Sequence, residues 1–188
     1  MNVLLIGPPG SGKGTQGARL ATRLGLRHIA AGDVLREQVA ARTSIGLEVA
    51  DHIERGELVP DEVIIDLLLP VIRAAARGAG YLLDGFPRSV EQAEQVRHIV
   101  DEEHAAADAA IYLDAPHELL IGRIMERARV EGRSDDTAEV IDNRLKIFEE
   151  ETRPLIDYYR GRGVLHMVDA TRAPAEVTRL ILAALGAV

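Results

Sequence analysis

The fold of this 188-residue chain is decided by Gly7-Pro8-Pro9-Gly10-Ser11-Gly12-Lys13-Gly14-Thr15. This stretch follows the apolar run Val3–Ile6 and opens a segment with helical spacing, Lys13–Leu24. It matches the pattern G-x-x-x-x-G-K in the strand–loop–helix context that the pattern requires. The glycines allow successive backbone N–H groups to turn inward around an anion, while the helix N-terminus and the Lys13 ammonium add positive charge. The stretch therefore predicts a phosphate-binding loop.

One position of this loop departs from the general pattern. Gly14 stands where a serine or threonine hydroxyl usually binds Mg²⁺, and Thr15 comes one residue later. Direct coordination of the metal by a hydroxyl of the loop is therefore open, and water held by carboxylates is the alternative.

Further apolar runs alternate with helical patterns along the chain. Strands are predicted at Val3–Ile6, His28–Ala30, Tyr81–Leu83, Ala110–Leu113 and Val164–Val168. Helices are predicted at Lys13–Leu24, Asp33–Ala41, Ile45–Arg55, Asp61–Arg77, Val90–Glu103, His117–Arg129, Thr137–Arg160 and Ala175–Leu185. This alternation is typical of an α/β fold with a parallel five-stranded sheet and helices on both faces. Pro70 and Pro154 are expected to kink or split their helices, because proline removes a backbone donor and clashes with the preceding turn.

The composition excludes several classes of protein and site. The chain has no cysteine, which excludes disulfides, iron–sulfur clusters and thiolate zinc sites. A net charge of −8 and 3% aromatic residues, without tryptophan, argue against a nucleic-acid partner. No signal peptide is recognised and no apolar run reaches the ~18 residues of a membrane span. We therefore expect a cytoplasmic protein with no membrane partner.

Two more stretches place arginines just after predicted strands. Ala31-Gly32-Asp33-Val34-Leu35-Arg36 follows the second strand, and Asp84-Gly85-Phe86-Pro87-Arg88 follows the third. Ligands of parallel sheets gather beyond the carboxyl ends of the strands, where a guanidinium can bind two phosphate oxygens at once. If the first and third strands are neighbours, Asp84 lies beside the glycine-rich loop. These stretches predict a second phosphate site, which would hold the acceptor of a transferred phosphoryl group.

In this order and spacing, the three stretches resemble the adenylate kinase family of nucleoside monophosphate (NMP) kinases. The resemblance covers nearly the whole chain and implies a P-loop NTPase-type fold. It implies reversible transfer of the γ-phosphoryl group of Mg²⁺-bound ATP to AMP, giving two ADP, by an enzyme that acts as a monomer. It also implies a core (1–29, 60–127 and 138–188), a mobile NMP-binding helical segment (30–59) and a short lid (128–137). Closure of the last two would exclude water from the reaction.

The resemblance also implies a role for each matching residue. The ATP-binding residues would be Gly10, Ser11, Gly12, Lys13, Gly14, Thr15, Arg123, Arg127 and Arg172. The AMP-binding residues would be Ala31, Arg36, Glu57, Leu58, Val59, Gly85, Phe86, Pro87, Arg88, Gln92, Arg133 and Arg144. The catalytic set would be Lys13, Arg88, Arg123, Arg127, Arg133 and Arg144, because phosphoryl transfer needs positioned positive charge more than a general base. No residue would bind Mg²⁺ directly, although Asp33 and Asp84 could orient it through water, and a short lid without cysteine implies no zinc.

Two alternatives stay open on the sequence. Adenylate kinases usually carry threonine where this chain has Ala31, and alanine there resembles the relatives that phosphorylate UMP or CMP. Gln92 favours AMP, because those relatives usually carry asparagine and an amide paired with a base edge discriminates strongly. The second alternative is a non-catalytic module that senses nucleotide, against which the two separate phosphate sites argue. The histidines show no metal-ligand spacing and are predicted to be structural or exposed: His28, His52, His98, His104, His117 and His166.

Overall fold

Five parallel strands form one sheet, and their order places the predicted phosphate sites side by side. The structure, a computed structural model, describes residues 1–131 and 137–187, with only the backbone at Glu131. The strands are β1 (Asn2–Ile6), β2 (Arg27–Ala30), β3 (Tyr81–Asp84), β4 (Ala109–Asp114) and β5 (Leu165–Asp169). Their order is β2-β3-β1-β4-β5, with Leu4 opposite Leu83 of β3 and Ala110 of β4. The predicted sheet is confirmed, and each strand lies within a residue or two of its predicted bounds.

Helices cover both faces of this sheet, as predicted. They are α1 (Lys13–Leu24), α2 (Ala31–Ala40), α3 (Ser44–Arg55), α4 (Asp61–Ala76), α5 (Val90–Glu102), α6 (His117–Glu131), α7 (Ala138–Ile147), α8 (Leu155–Gly161) and α9 (Pro174–Ala184). A single π turn, Phe148–Thr152, lies between α7 and α8 within the described part of the chain.

The two faces of the sheet carry separate cores. Because side chains alternate along a strand, Leu4 and Ile6 of β1 pack on the face covered by α4, α5 and α8. Val3 and Leu5 pack on the opposite face, against α1 and α9. A smaller cluster joins α6 to α7. The central strands are therefore buried on both sides, which explains why they appear as continuous apolar runs.

The two internal prolines have different outcomes. Near Pro154 the predicted helix Thr137–Arg160 is divided into α7, the π turn and α8. Pro70, in contrast, does not split its helix, since α4 continues through it. Pro70 and Asp66 are both exposed, so the carbonyl group that the proline leaves unbonded faces water.

Within the described residues, three helices begin at a residue whose side chain caps the helix. Thr43, Ser89 and Thr137 each accept a hydrogen bond from a backbone N–H three residues later. The cap at Ser89 matters most for the site, because Ser89 Oγ accepts its hydrogen bond from the backbone N–H of Gln92. No helix within the described ranges is both long enough and apolar enough to cross a membrane.

Half of the predicted lid lies outside the residues that the structure describes. Residues 132–136 of the predicted lid 128–137, with the predicted site residue Arg133, fall outside the described residues. The carboxyl ends of all five strands point to the same edge of the sheet, where the remaining predicted site residues gather.

Candidate active site

The glycine-rich loop joins β1 to α1 and is bonded to its own lysine. Lys13 Nζ donates hydrogen bonds to the carbonyl oxygens of Gly7 (2.7 Å) and Pro8 (3.0 Å). Gly10 has φ +81° and packs so closely against α6 that a Cβ there would lie 2.6 Å from the carbonyl oxygen of Leu120. This position therefore requires glycine both for its left-handed backbone and for its missing side chain.

The same loop contains a buried hydroxyl group without a hydrogen-bond partner among the described residues. This is the hydroxyl group of Ser11, a residue that is 2% exposed. Buried hydroxyl groups are normally hydrogen-bonded, so an unpartnered one suggests a ligand. The N-terminus of α1 begins two residues later, at Lys13, and adds its unpaired N–H groups. Together these groups can bind phosphate oxygens.

Asp84 ends β3 directly beside β1, so the predicted neighbourhood of Asp84 and the loop is confirmed. Burial lowers the pKa of Lys13 to about 8, against the opposing effect of the Asp84 charge, while Arg88 and Arg127 lower it further. Burial also raises the pKa of Asp84, against the effects of Lys13, His28 and Arg88. The cleft thus holds several desolvated positive charges close together, an arrangement that an anionic ligand stabilises.

The donor groups beside the loop suit a magnesium ion held through water. A Cβ added to Gly14 would lie 3.8 Å from Asp84 Oδ2, so this carboxylate faces the start of α1. Asp33, the second predicted carboxylate, accepts a hydrogen bond of 2.5 Å from Arg36. Carboxylate oxygen is a preferred ligand of Mg²⁺, which usually keeps several waters. No cluster of three or more metal-binding side chains occurs within residues 1–131 and 137–187.

At the second predicted phosphate site, the structure brings Arg144 together with the two predicted arginines, Arg36 and Arg88. Arg88 Nε donates to the carbonyl oxygen of Gly85 at 3.0 Å, which fixes its guanidinium over the end of β3. Burial lowers the pKa of Arg88, and the positive charges of Arg144 and Arg36 lower it further. Like charges this close repel one another, so bound phosphate would stabilise the group.

Helix α7 brings Arg144 to this group and holds the end of the segment 30–59. A Cβ added to Gly56, at the C-terminus of α3, would lie 2.8 Å from Arg144 Cγ. Next to it, Asn143 Nδ2 donates to the carbonyl oxygen of Arg55 at 2.8 Å. The close packing at Gly56 therefore sets the position of Arg144 relative to Glu57 and the residues that follow it.

Gln92 is buried at the start of α5, and both ends of its amide group are bonded. Its Oε1 accepts a hydrogen bond from the backbone N–H of Arg88 at 2.8 Å. Its Nε2 donates to Asp61 Oδ1, also at 2.8 Å. Gln92 lies on the cleft with an amide of fixed orientation, although only 2% of the residue is exposed.

At the other end of the cleft, a buried hydrogen-bond network joins α1 to the start of α9. Gln16 Nε2 donates to the carbonyl oxygen of Pro174 (3.0 Å), and Thr178 Oγ1 donates to Gln16 Oε1 (2.7 Å). Arg172 bonds the carboxylates of Asp169 and Glu176, so its side chain stays on its own loop. The network sets the distance between the glycine-rich loop and the loop after β5.

These features line one cleft of about 940 Å³. The predicted site residues within the described ranges all lie on it: Gly10, Ser11, Gly12, Lys13, Gly14, Thr15, Ala31, Asp33, Arg36, Glu57, Leu58, Val59, Asp84, Gly85, Phe86, Pro87, Arg88, Gln92, Arg123, Arg127, Arg144 and Arg172. Their position on the cleft follows from the structure, whereas the role of each residue stays a prediction.

Other residues on the cleft were not predicted as part of the site. His28 lines it, and the ring lies so close to α1 that a Cβ at Gly17 would be 2.3 Å from His28 Nε2. Phe148 and Thr152 come from the π turn, and Thr152 Oγ1 donates to the carbonyl oxygen of Arg88 at 2.7 Å. His28 is the first residue of the predicted strand His28–Ala30, and that position gives no signal for a site residue, because ligands gather at the carboxyl ends of the strands. The π turn has no sequence signal beyond the nearby proline.

Comparison with known proteins gives a consistent result. The sequence model of the family described as adenylate kinase matches residues 5–164. A protein of Thermus thermophilus called "Adenylate kinase" is 42% identical over 184 residues, which cover 98% of this chain and 96% of the relative. A protein of Stenotrophomonas maltophilia with the same name is 40% identical over 187 residues and the full length of both chains. A third of that name, from a Synechococcus strain, is 43% identical over 97% of each.

Proposed function

Since this chain belongs to the adenylate kinase family, we propose that its cleft transfers the γ-phosphoryl group of ATP to AMP, reversibly, giving two ADP. One observation carries the proposal. Two groups of anion-binding residues, the glycine-rich loop with Lys13 and the group Arg36, Arg88 and Arg144, lie in one cleft. A protein that only sensed nucleotide would need a single such group, so the pairing favours transfer between two bound phosphate compounds.

The loop is the ATP side of the proposed site. Its backbone N–H groups and the Ser11 hydroxyl would bind the β-phosphate. Lys13 Nζ would exchange its hydrogen bonds to the carbonyl oxygens of Gly7 and Pro8 for hydrogen bonds to phosphate oxygens. Arg123 and Arg127, on one face of α6, would contact the phosphates from the other side. The backbone near Arg172 would contact the adenine.

The arginine group is the AMP side of the proposed site. Arg36 and Arg88 would bind the AMP phosphate, with Arg144 closer to the transferred group. The resemblance assigns Arg133 of the predicted lid, which lies outside the described residues, to the same phosphates. Ala31, the backbone at Glu57–Val59 and the segment Gly85–Pro87 would surround the nucleoside. Gln92 would bind the polar edge of the base.

The chemistry needs position and charge rather than a base. An oxygen of the AMP phosphate, already anionic, attacks the γ-phosphorus of ATP; a new P–O bond forms while the bond to the β-phosphate oxygen breaks, and ADP leaves. Both products are ADP, so the same groups serve the reverse reaction. Lys13, Arg88, Arg123, Arg127 and Arg144 supply positive charge where negative charge moves.

Magnesium would enter with ATP as part of the substrate. When bound it neutralises charge on the phosphate oxygens, and Asp84 is the carboxylate best placed to hold its waters. Asp33 is a weaker candidate, because Arg36 already bonds its carboxylate.

The division of the chain into parts also belongs to the proposal. The core would be 1–29, 60–127 and 138–188, while the segment 30–59 closes over AMP and the lid 128–137 closes over ATP. The end of α3 is attached to α7, a helix of the proposed core, by the Asn143 hydrogen bond and by packing at Gly56. We therefore place the hinge of the segment near residue 56. One chain supplies both anion-binding groups, so we propose that the enzyme acts as a monomer, which light scattering checks against the 20.4 kDa of one chain. We also propose that it acts in the cytoplasm.

A coupled assay with ATP, Mg²⁺ and each nucleoside monophosphate tests this function. We expect a kcat/KM for AMP above that for UMP and CMP, and loss of activity when a chelator removes Mg²⁺. A higher kcat/KM with UMP or CMP would contradict AMP as the substrate, and would point to Ala31 as the reason. No reaction with any monophosphate would contradict phosphoryl transfer itself.

A further inference from the structure

Asp61, the first residue of α4, contacts the base-reading glutamine without being a predicted site residue. Its Oδ1 accepts a hydrogen bond from Gln92 Nε2 at 2.8 Å, and its Oδ2 accepts one from Gln95 Nε2 at 3.3 Å. Gln92 and Asp61 are 31 residues apart in sequence, and contact between α4 and α5 brings them together. Gln92 faces the cleft, whereas Gln95 is exposed.

The hydrogen-bonding capacity of Gln92 shows what this contact leaves available. A glutamine amide has two donor hydrogens on its nitrogen and two acceptor sites on its oxygen. One acceptor site is used by the N–H of Arg88, and one donor hydrogen is used by Asp61. One donor and one acceptor therefore remain on the same amide. That pair matches the edge of adenine, which offers an amino donor next to a ring-nitrogen acceptor.

The same contacts oppose the reversed amide orientation. If the amide turned over, its nitrogen would face the N–H of Arg88 and its oxygen would face the Asp61 carboxylate. A backbone N–H can only donate, and an ionised carboxylate can only accept, so both contacts would become repulsive. A 6-oxopurine, which offers a carbonyl acceptor next to an N–H donor, needs that reversed amide. The discrimination thus comes from leaving polar groups unpaired in the wrong complex.

We propose that Asp61 is a positioning residue that fixes the orientation of the Gln92 amide and thereby selects 6-aminopurine over 6-oxopurine monophosphates. The assignment rests on the AMP site proposed above and adds to it a residue that sets its base preference. Gln95 also donates to the Asp61 carboxylate, but it is exposed and is not among the residues that line the cleft, so it does not read the base.

Asp61→Asn tests this role with little change in shape. Asparagine can donate to the oxygen of a reversed Gln92 amide, which removes one of the two repulsive contacts. We expect the ratio of kcat/KM for AMP to kcat/KM for IMP to fall about tenfold, as for one hydrogen bond to a charged group. Asp61→Ser, which can also donate or accept, is measured in parallel, so that the result does not depend on one variant folding.

Two matched controls separate positioning from stability. Glu62→Gln removes the other acidic side chain in the first turn of α4, and Gln95→Ala removes the second partner of Asp61. Both should keep the wild-type ratio of AMP to IMP. A merely structural defect would lower kcat/KM for the two substrates alike and leave the ratio unchanged.

The possible results are distinct. A lower ratio in both Asp61 variants, with wild-type ratios in the controls, supports the inference. An unchanged ratio in both variants of an active enzyme overturns the inference and leaves the proposed function intact. A wild-type protein that does not phosphorylate AMP overturns the proposed function, and the inference with it.

Discussion

Among single residues, Lys13 shows most directly how the site is prepared for its ligand. Its ammonium is buried in the loop, and two carbonyl oxygens replace part of its lost hydration. Burial still lowers its pKa to about 8, so the charged form is less stable in the folded protein than in the unfolded chain. Lys13 therefore destabilises the nucleotide-free fold while it prepares a charge for the phosphates.

Replacing this lysine should separate activity from stability. For Lys13→Met we expect kcat to fall by roughly 10²–10³-fold, since one preorganised charge is lost from the transition state. We also expect the free energy of unfolding at pH 7 to be equal to or above that of the wild type. Coupled assays and urea unfolding measure the two quantities. Lys146→Met, at the only other lysine and on the exposed side of α7, should change neither.

The pH dependence gives a second measurement on the same variant. Between about pH 8 and the ordinary lysine pKa of 10.5, the unfolded chain binds a proton that the folded protein has lost. The stability of the wild type relative to Lys13→Met should therefore rise with pH across this interval. A constant difference between the two proteins from pH 7 to pH 10.5 would contradict the burial of a charged Lys13, and a near-normal kcat would contradict its role in transfer.

Among the elements, the π turn Phe148–Thr152 contacts the proposed AMP side of the cleft. The N–H of Arg153 donates to the carbonyl oxygen of Phe148 at 2.8 Å, one residue further than in an α-helix. Phe148 and Thr152 are both buried toward the cleft, and the three glutamates between them are exposed. The Thr152 hydroxyl thereby reaches the backbone of Arg88 from another part of the chain.

A threonine variant tests whether this turn positions Arg88. Thr152→Val removes the hydrogen bond and keeps the shape, so we expect the KM for AMP to rise about five- to tenfold, as for one lost hydrogen bond. The KM for ATP should change little. Thr152→Ser keeps the hydroxyl and should retain the wild-type KM for AMP. Equal KM values for AMP in the valine and wild-type proteins would show that the bond does not position Arg88.

At the level of the whole molecule, strand order brings the two anion sites together. In sequence, α1, β2, α2, α3 and α4 all lie between β1 and β3, yet these two strands are neighbours in the sheet. Lys13 and Arg88 consequently lie in one cleft with Asp84. The chain carries a net charge of −8, so this cleft is a concentrated positive region in an otherwise acidic protein. We expect such a region to attract small nucleotides, and we expect the acidic exterior to repel long polyanions.

Removing one arginine should reveal that the cleft contains two distinct sites. For Arg88→Ala we expect kcat/KM to fall at least about tenfold and the KM for AMP to rise much more than the KM for ATP, since a charged hydrogen bond to one phosphate is lost. Initial rates over a grid of both substrate concentrations give the two constants. Arg77→Ala, at the exposed end of α4, should alter neither. An equal rise in both constants would contradict the assignment of Arg88 to AMP.

The features that could be predicted from the sequence are those that depend only on residues close together in the chain. The loop Gly7–Thr15, the periods of the strands and helices and the arginines after β2 and β3 are all local patterns. Backbone geometry and side-chain type decide them within a few residues. For that reason the fold class, the strands and the position of the glycine-rich loop between β1 and α1 could be predicted without coordinates.

The contacts that position these groups could not be predicted in this way, because they form only when distant parts of the chain pack together. The orientation of the Gln92 amide depends on Asp61, and the backbone of Arg88 is bonded by Thr152, 64 residues away. The continuity of α4 through Pro70 likewise depends on which side of the helix faces water. Such contacts join residues that are distant in sequence, and they exist only once the helices have packed on the sheet. No local pattern encodes them, because the partner of each polar group is chosen by packing rather than by spacing along the chain.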